Sequence, residues 1–460
     1  MIIFIIVLFI SLYINSTCVE GANLIQNDKN PPIIENSIPK KYEQYIVSTP
    51  NIKINYKDES QVDKNSIKLF INYKDVTKEC EITDDYITYT PNEKFTRGNQ
   101  IVKIILSDIN KNQATYEWYF TVGIPIFNHY YGLLHSHTKE SDGHGTYEDA
   151  YHFARDKANL DFFAITDHSN YFDNNLNASL DNASNSKKWT SLLECKNWFS
   201  SNEKFIPIAG FEMTYPHNVD NPIGHINIFN SKGFVSSNNP HLTLEKFYEL
   251  IYEHDYVVGQ FNHPCEKFGD FYNLKYSPLA DEVISLIEVY NGYFKDIKKN
   301  INSLDMYQKA LDLGWHLAPT ANQDNHLIDF GVANEFRTVI LSTSLTENSI
   351  YDALKKMRVY ATNDKNIKIK YFINNLPMGS TIKNTSKLNF YISVIDNDEN
   401  DKIKKIEIIS NDNKIIKSKN FNSNIAKLEF SIKSDTNRFY YVKVTQNNNK
   451  VSVSAPIWIK

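Results

Sequence analysis

His135 and His137 stand one residue apart, and the chain then supplies acids and further imidazoles in short runs. These are Ser141-Asp142-Gly143, Thr166-Asp167-His168, Gly210-Phe211-Glu212, Gly224-His225, Asn262-His263-Pro264 and Asp324-Asn325-His326. Imidazole together with carboxylate is the ligand set of Zn, Mn or Fe at hydrolytic centres. All 13 histidines fall between His129 and His326, which puts the expected chemistry in the middle of the chain. An extended His-x-His turns both rings to one face, and Asp324-Asn325-His326 repeats that spacing with mixed ligands. Glu212 is suited to bridge two ions, which in such centres sit roughly 3.5–4 Å apart and share a hydroxide as nucleophile.

The elements that must position these residues are legible as three blocks. Residues 28–125 alternate apolar and polar positions in short runs, as in Ile52 to Tyr56 and Ile101 to Ile105, which predicts an all-β sandwich, and Tyr89-Thr90-Pro91 with Trp118 to Val122 resembles bacterial immunoglobulin-like modules. Residues 128–364 switch to short apolar runs (Tyr130 to Leu134, Phe162 to Ile165, Phe205 to Ala209, Val257 to Phe261, Val283 to Val289, Leu317 to Ala321). Between them lie helical patterns at Thr146 to Lys157, Leu244 to His254, Leu304 to Leu313 and Thr346 to Met357. Thr146 and Asp149 have capping-box spacing. This alternation predicts an α/β barrel, with the ligand residues at the C-terminal ends of its strands. His225 is the exception because it opens an apolar run, so that segment is expected to be reversed or a hairpin. Residues 365–460 return to alternation and predict a second all-β sandwich.

A formal charge of -5 with scattered Lys and Arg argues against nucleic acid as the main partner. Lys298-Lys299, with Lys295 nearby, reads as a solvated helix face. Residues 1–22 are expected to be a signal peptide built on the apolar stretch Met1 to Ile14, which makes the mature protein secreted or surface-bound, with no transmembrane span. Cys18 stands where a lipid-modified cysteine would, but Asn15-Ser16-Thr17 fits that signal poorly. Cys80, Cys195 and Cys265 form neither a disulfide framework nor a CxxC site.

The order His-x-His-Thr (135–138), Ser-Asp-Gly (141–143), Asp-Phe-Phe-Ala-Ile-Thr-Asp-His (161–168), Gly-Phe-Glu (210–212), Gly-His (224–225), Asn-His-Pro (262–264) and Asp-x-His (324–326) resembles the PHP (polymerase and histidinol phosphatase) family. Gly210 to Tyr215, Gly224 to Asn227 and Ala455 to Ile459 resemble its secreted CehA/McbA-like branch. The resemblance implies a distorted (β/α)7 barrel with two or three divalent ions and hydrolysis of phosphate mono- or diesters, with a small molecule or a surface polymer carrying the ester. Some members of that branch cleave carbamate or aryl esters. Carried over by position, His135, His137, Glu212 and Asp324 would hold one ion, Glu212, His225 and His263 a second, and Asp142, His168 and His326 a third. Catalysis would centre on Glu212, Asp324 and His263.

Several positions keep two readings. His144 could replace Asp142 as a ligand. Asp167 could orient His168 or shape a turn, and Glu288 could stand behind the ligands or be a buried strand-end acid. Arg337 could grip a substrate phosphate through its planar fork or serve a structural ion pair, and His217 is a candidate rim residue for substrate selection. His129, His152, His241, His254 and His316 fit no ligand pattern. Two rivals to a phosphoesterase remain open: a carboxyl-ester, carbamate or amide hydrolase with the same ions, and a surface glycan-binding or adhesive protein whose metal is structural. The flanking β modules are expected to dock to a cell surface or to other domains.

Overall fold

The computed structural model describes residues 28–40, 44–45, 48–96, 98–123, 127–200, 204–215, 222–383 and 385–460. The expected signal peptide, Cys18 and His217 lie outside the described residues. The chain divides into two units, Met1–Ile126 and Phe127–Lys460.

In the first unit, two sheets enclose one core. One has the order Ile33–Ile38, Ile52–Lys57, Tyr86–Tyr89, Cys80–Ile82, and the other Gln44–Tyr45, Gln113–Val122, Gly98–Ser107, Lys68–Ile71, Lys74–Asp75. Ile52, Ile54 and Tyr56 are buried while the residues between them are more exposed, the period of two that a sheet covered on one face requires. Their inward side chains meet Leu69, Val102, Ile104 and Phe120.

The second unit carries the ligand runs on seven strands: β1 (Asn128–Leu133), β2 (Phe162–Ile165), β3 (Ile206–Thr214), β4 (His225–Phe229), β5 (Val258–Asn262), β6 (Ile284–Asn291) and β7 (Ala318–Asn322). Helices α1 (Tyr147–Asp156), α2 (Lys187–Phe199), α3 (Leu244–Tyr252) and α4 (Leu304–Leu313) lie between them in the chain. Every residue of β2 is buried, as the continuous apolar run of a strand covered on both faces demands. In α1, Tyr147, Ala150, Tyr151 and Ala154 are buried at helical spacing. Its start is set by the expected capping box: Asp149 N donates to Thr146 Oγ1 at 3.0 Å, and Thr146 N donates to Asp149 Oδ2 at 2.8 Å.

The (β/α)7 barrel expected from the alternation and the resemblance is not formed. Strand outweighs helix, 40% against 18%, whereas a barrel with a helix after every strand has more helix than strand. The sheet does not close. β1 pairs in parallel with β2 on one side, but its other side is taken, antiparallel, by β8 (Arg337–Ser342). β8 pairs with β9 (Val359–Thr362), and β9 with Val451–Ser454, so the sheet runs on into the C-terminal strands instead of returning to β7. Between β7 and β1, among the described residues, there is one isolated bridge, Ser136 to Asn325, and a side-chain link from Leu134 N to Asn322 Oδ1 at 2.7 Å. The residues of Arg337–Ser342 are all buried, and an apolar run of that kind suits either strand direction, so the sequence pattern did not reveal that it would cap β1.

Residues after 365 add a four-stranded sheet (Leu376–Pro377, Lys368–Ile373, Lys387–Ile395, Ile425–Lys433) beside the continuing large one. One apolar cluster contains Phe162, Ala164, Val258 and Leu286 together with Ile369, Ile392 and Tyr440.

For the site, strand direction is what matters. β1, β2 and β3 are parallel in sequence, as are β5, β6 and β7, and β4 runs antiparallel to both β3 and β5. Six strands therefore end at one edge of the sheet, and β4 begins there. His225 reaches the common edge from the first residue of a reversed strand, one of the two arrangements its position suggested.

Candidate metal centre

The chain leaves β1 extended, so His135 and His137 fall on the same side, and Ser136, between them, points away and donates to Ala164 O at 2.7 Å. The turn that follows is clamped by Asp167. Its carboxylate accepts from Thr138 N and Thr138 Oγ1, both at 2.7 Å, and from Ser141 Oγ at 2.5 Å. Gly143 lets the turn close, since a Cβ there would lie 2.5 Å from His137 O. The result places Asp142 against His326 Nε2 at 3.3 Å and His168 Nε2 at 3.5 Å. Asp167 thus shapes the turn, one of its two expected roles. His144 is exposed and gives only its backbone N–H to His326 O.

Glu212 lies at the centre, fully buried near the end of β3. Its Oε1 is 3.2 Å from His135 Nε2, 3.3 Å from His225 Nδ1 and 3.6 Å from His263 Nε2, and accepts from Asn262 Nδ2 at 2.7 Å. Its Oε2 is 2.7 Å from His168 Nδ1 and 3.5 Å from His137 Nε2. Asp324, after β7, lies 3.3 Å from His135 Nε2 and 3.0 Å from His137 Nε2. Two of these residues, His263 (φ 30°) and Asp324 (φ 48°), are held in the left-handed backbone region, a strained state for non-glycine residues that concentrates at functional sites.

At this edge, three sets of ligand-type side chains converge closely enough to hold an ion: His137, Asp142, His168 and His326; His135, Glu212 and His263; and His135, His137 and Asp324. The structure therefore assembles all nine residues proposed as ligands at one edge, with His225 beside Glu212 and His263 but outside these three sets. The grouping differs from the one the resemblance implies, because His135 and His137 each belong to two sets.

The protonation pattern tests whether a cation fits. His135 Nδ1 faces Glu288 Oε1 at 3.0 Å, so the proton belongs on Nδ1 and a neutral ring turns its Nε2 lone pair inward. That lone pair meets Glu212 Oε1, Asp324 Oδ1 and His137 Nε2, the last at 3.1 Å. Glu212 Oε2 and Asp324 Oδ1 are buried with imidazole nitrogens around them, but none presents a proton in hydrogen-bond geometry. Acceptors converging on acceptors require protons or cations. Burial opposes charge on His135, yet Asp324, Glu288 and Glu212 together hold its pKa well above the imidazole range. For His168, the same contest between burial and the carboxylates of Glu212 and Asp142 ends near 10. Burial and the neighbouring His168 push His137 down to about 4. Burial also opposes ionisation of Glu212, but His168, His135 and His225 outweigh it and hold the acid well below the usual carboxylate range. The donor set fits divalent ions, each of which would take the place of such protons.

Behind the ligands stands Glu288, fully buried on β6. It accepts from Asn322 Nδ2, His263 N and Asn291 Nδ2, each at 2.9 Å, besides facing His135. The sequence left its role open. Thr214 (Oγ1 2.6 Å from His168 Nδ1) and Asn262 were missed as partners of the ligands. The available signal was their spacing: Thr214 is two residues from Glu212 on the same strand face, and Asn262 adjoins His263.

The edge opens on a cavity of about 530 Å³ lined by Asp142, His168, Glu212, His225, His263, Asp324 and His326, with Lys267, Phe268 and residues 291–294 and 299–301 opposite. Arg337 is not part of it. Its guanidinium donates to Phe336 O at 2.6 Å and Gly331 O at 2.9 Å and lines a different cavity with Glu335 and Lys450, which corrects the expectation of a substrate contact. His152, His254 and His316 pair with Asp156, Asp181 and Asp281. Cys80, Cys195 and Cys265 are free thiols. No helix among the described residues is long and apolar enough to cross a membrane.

No protein-family model matches the chain. It is 24% identical over 396 residues to an uncharacterized protein of Chlamydia pneumoniae, covering 76% of this chain and 61% of that protein. An uncharacterized protein of Chlamydia trachomatis serovar D is 23% identical over 396 residues with the same coverage. The chain thus spans about 61% of the length of these curated relatives. Among solved structures, CopC from Methylosinus trichosporium OB3b aligns at 14% identity and a TM-score of 0.18, over 21% of this chain and 97% of CopC. Chitinase ChiW from Paenibacillus sp. str. FPU-7 aligns at 9% identity and 0.23, over 94% of this chain and 52% of ChiW. Neither likeness carries an argument at these scores.

Proposed function

We propose that this chain is an exported hydrolase of phosphate esters that works with two or three divalent ions (Zn, Mn or Fe), in the manner of the PHP family its motifs resemble. The observation that carries this reading is the pair of carboxylate oxygens that meet the acceptor atom His135 Nε2 at the cavity edge, Glu212 Oε1 at 3.2 Å and Asp324 Oδ1 at 3.3 Å. Ions held there would polarise the substrate oxygen, lower the pKa of water and offset developing charge.

The chain's own residues supply position. Glu288 keeps the His135 proton on Nδ1, and Thr214 and Asn262 hold His168 and Glu212. Exposure grades across the cluster, from 1% for the Glu212 side chain to 18% for Asp324, 27% for His326 and 39% for Asp142. Substrate therefore approaches over Asp142, Asp324 and His326. Export rests on the apolar stretch Met1 to Ile14.

The test is turnover of nitrophenyl phosphate, bis-nitrophenyl phosphate and nitrophenyl acetate by protein loaded with Mn or Zn. Activity on the acetate alone would replace this reading with the carboxyl-ester, carbamate or amide hydrolase that uses the same ligands. An adhesive or glycan-binding protein with structural ions is disfavoured by the open cavity, because structural sites are closed by protein ligands. Turnover of nothing, with tight binding of a polymer, would restore it.

A further inference from the structure

The wall facing the ligands comes from two segments: Lys267-Phe268, after β5, and the hairpin at the end of β6, where Tyr290 pairs with Asn302 and Asn291 with Ile301. The hairpin is built, not slack. Asn300 bridges its tip, accepting from Phe294 N at 2.9 Å and donating to Phe294 O at 2.8 Å. Gly292 (φ +127°) makes room for that bridge, since a Cβ there would lie 2.4 Å from Asn300 Oδ1, and Gly292 O accepts from Asn334 Nδ2 at 2.7 Å. The tip carries Tyr293 and Phe294, whose rings stack at 5.0 Å, and Phe294 remains 45% exposed. Tyr293 reaches toward His326, with ring centroids 6.5 Å apart, while Phe268 lies 4.7 Å from the His263 ring. Aromatic side chains therefore flank the ligand cluster on two sides.

Two ammonium groups share this wall. Lys267 sits over the Phe268 ring at 4.5 Å, and Lys299 lines the cavity from the hairpin. Both are exposed, and among the described residues neither is paired with a carboxylate. In a chain of net charge -5, two cations left uncompensated in the cavity of the ligand cluster call for an anionic occupant. A neutral ester or carbamate offers them a single carbonyl acceptor, whereas the several unbridged oxygens of a phosphate dianion accept from both ammonium groups and add attraction between opposite charges.

Resting on the phosphoesterase reading, we infer that the preferred substrate is an aryl phosphate monoester, with Lys267 and Lys299 selecting the phosphate dianion and Phe268, Tyr293 and Phe294 holding the aromatic leaving group.

The test is calorimetric titration of the full chain, metal-loaded and metal-free, with phenyl phosphate, inorganic phosphate and phenol, comparing wild type, Lys267→Ala/Lys299→Ala, Lys267→Arg/Lys299→Arg and Phe294→Ala. Removing both lysines should weaken phenyl phosphate and inorganic phosphate by about tenfold or more, what one charge-assisted contact is worth. Phenol binding and metal content should stay unchanged, and the arginine pair should restore affinity. Phe294→Ala should weaken phenyl phosphate and leave inorganic phosphate alone. A change under about twofold on removing both lysines, or an equal loss for phenol, overturns the inference. Phosphate-ester turnover without lysine dependence sinks it and spares the phosphoesterase reading. Lysine-dependent binding without turnover sinks the phosphoesterase reading and the substrate assignment with it, and leaves the two lysines as an anion-binding wall.

Discussion

Replacing Glu288 with Gln tests the logic of the centre without touching a ligand. All four groups facing this buried carboxylate are donors: His135 Nδ1 and Asn322 Nδ2 at Oε1, His263 N and Asn291 Nδ2 at Oε2. A glutamine must turn its NH2 toward one of these pairs, and two hydrogen bonds are lost there. Each is to a charged acceptor and worth about 1.5–3 kcal/mol, so the unrelaxed cost is roughly 3–6 kcal/mol. Relaxation is restricted. The His263 backbone N–H cannot reverse, and Asn322 Oδ1 already accepts from Leu134 N and Thr338 Oγ1. What remains is for His135 to move its proton to Nε2 and accept at Nδ1. That tautomer satisfies the glutamine but removes the lone pair that faces Glu212 and Asp324. Competitive titration against a chelator should therefore show at least one ion bound about 10–100-fold more weakly, the usual effect of losing a partner behind a ligand. Thermal unfolding should show a smaller loss than the unrelaxed figure. Wild-type metal affinity and turnover in Glu288→Gln would refute the argument, because His135 could not then be a ligand in this orientation.

Three further outcomes follow from the same geometry. Glu212→Gln should abolish turnover and lose at least one ion by elemental analysis, since both carboxylate oxygens face the imidazole nitrogens of the cluster; full activity with full metal content would remove Glu212 from the centre. Metal-free protein should lose stability as pH rises from about 7 toward 10: the His168 pKa is raised to about 10, so its ion pairs stabilise fully below the ordinary imidazole value of about 6.5 and fade as the pH passes the raised one. Metal-loaded protein should lack that decline and bind its ions more tightly as pH rises, with proton release in calorimetry, and a flat metal-free melting profile would contradict it. His129, outside the cluster and hydrogen-bonded to Tyr360 OH at 3.0 Å, has its pKa lowered to about 3 by burial and by Lys368 and Lys370. As pH falls below about 6.5 the unfolded chain takes a proton that the folded chain refuses, so His129→Asn should keep activity and unfold at lower pH than wild type; an unchanged acid midpoint would speak against it.

The candidate ligand residues could be read from the chain because their chemistry is a property of residue type and short spacing. His-x-His at a strand end, acids adjoining imidazoles and the reversed entry of His225 all survived folding. The local elements did too, since amphipathic period and capping at Thr146 depend on neighbours a few residues away. Sheet closure was not legible. Whether the far side of β1 meets β7 or β8 is decided by backbone geometry across about two hundred residues, and apolar strands buried on both faces accept either direction. The same distance hid the work of Glu288, which depends on four donors from β6, β7 and the ends of β1 and β5. It also hid Lys299, which reads as part of a solvated helix face until the β6 hairpin carries it to the cavity. The sequence alone determined which atoms could bind an ion. Tertiary structure decided which of them share one, because ligation needs atoms a few ångströms apart and only the long-range strand pairing sets that distance.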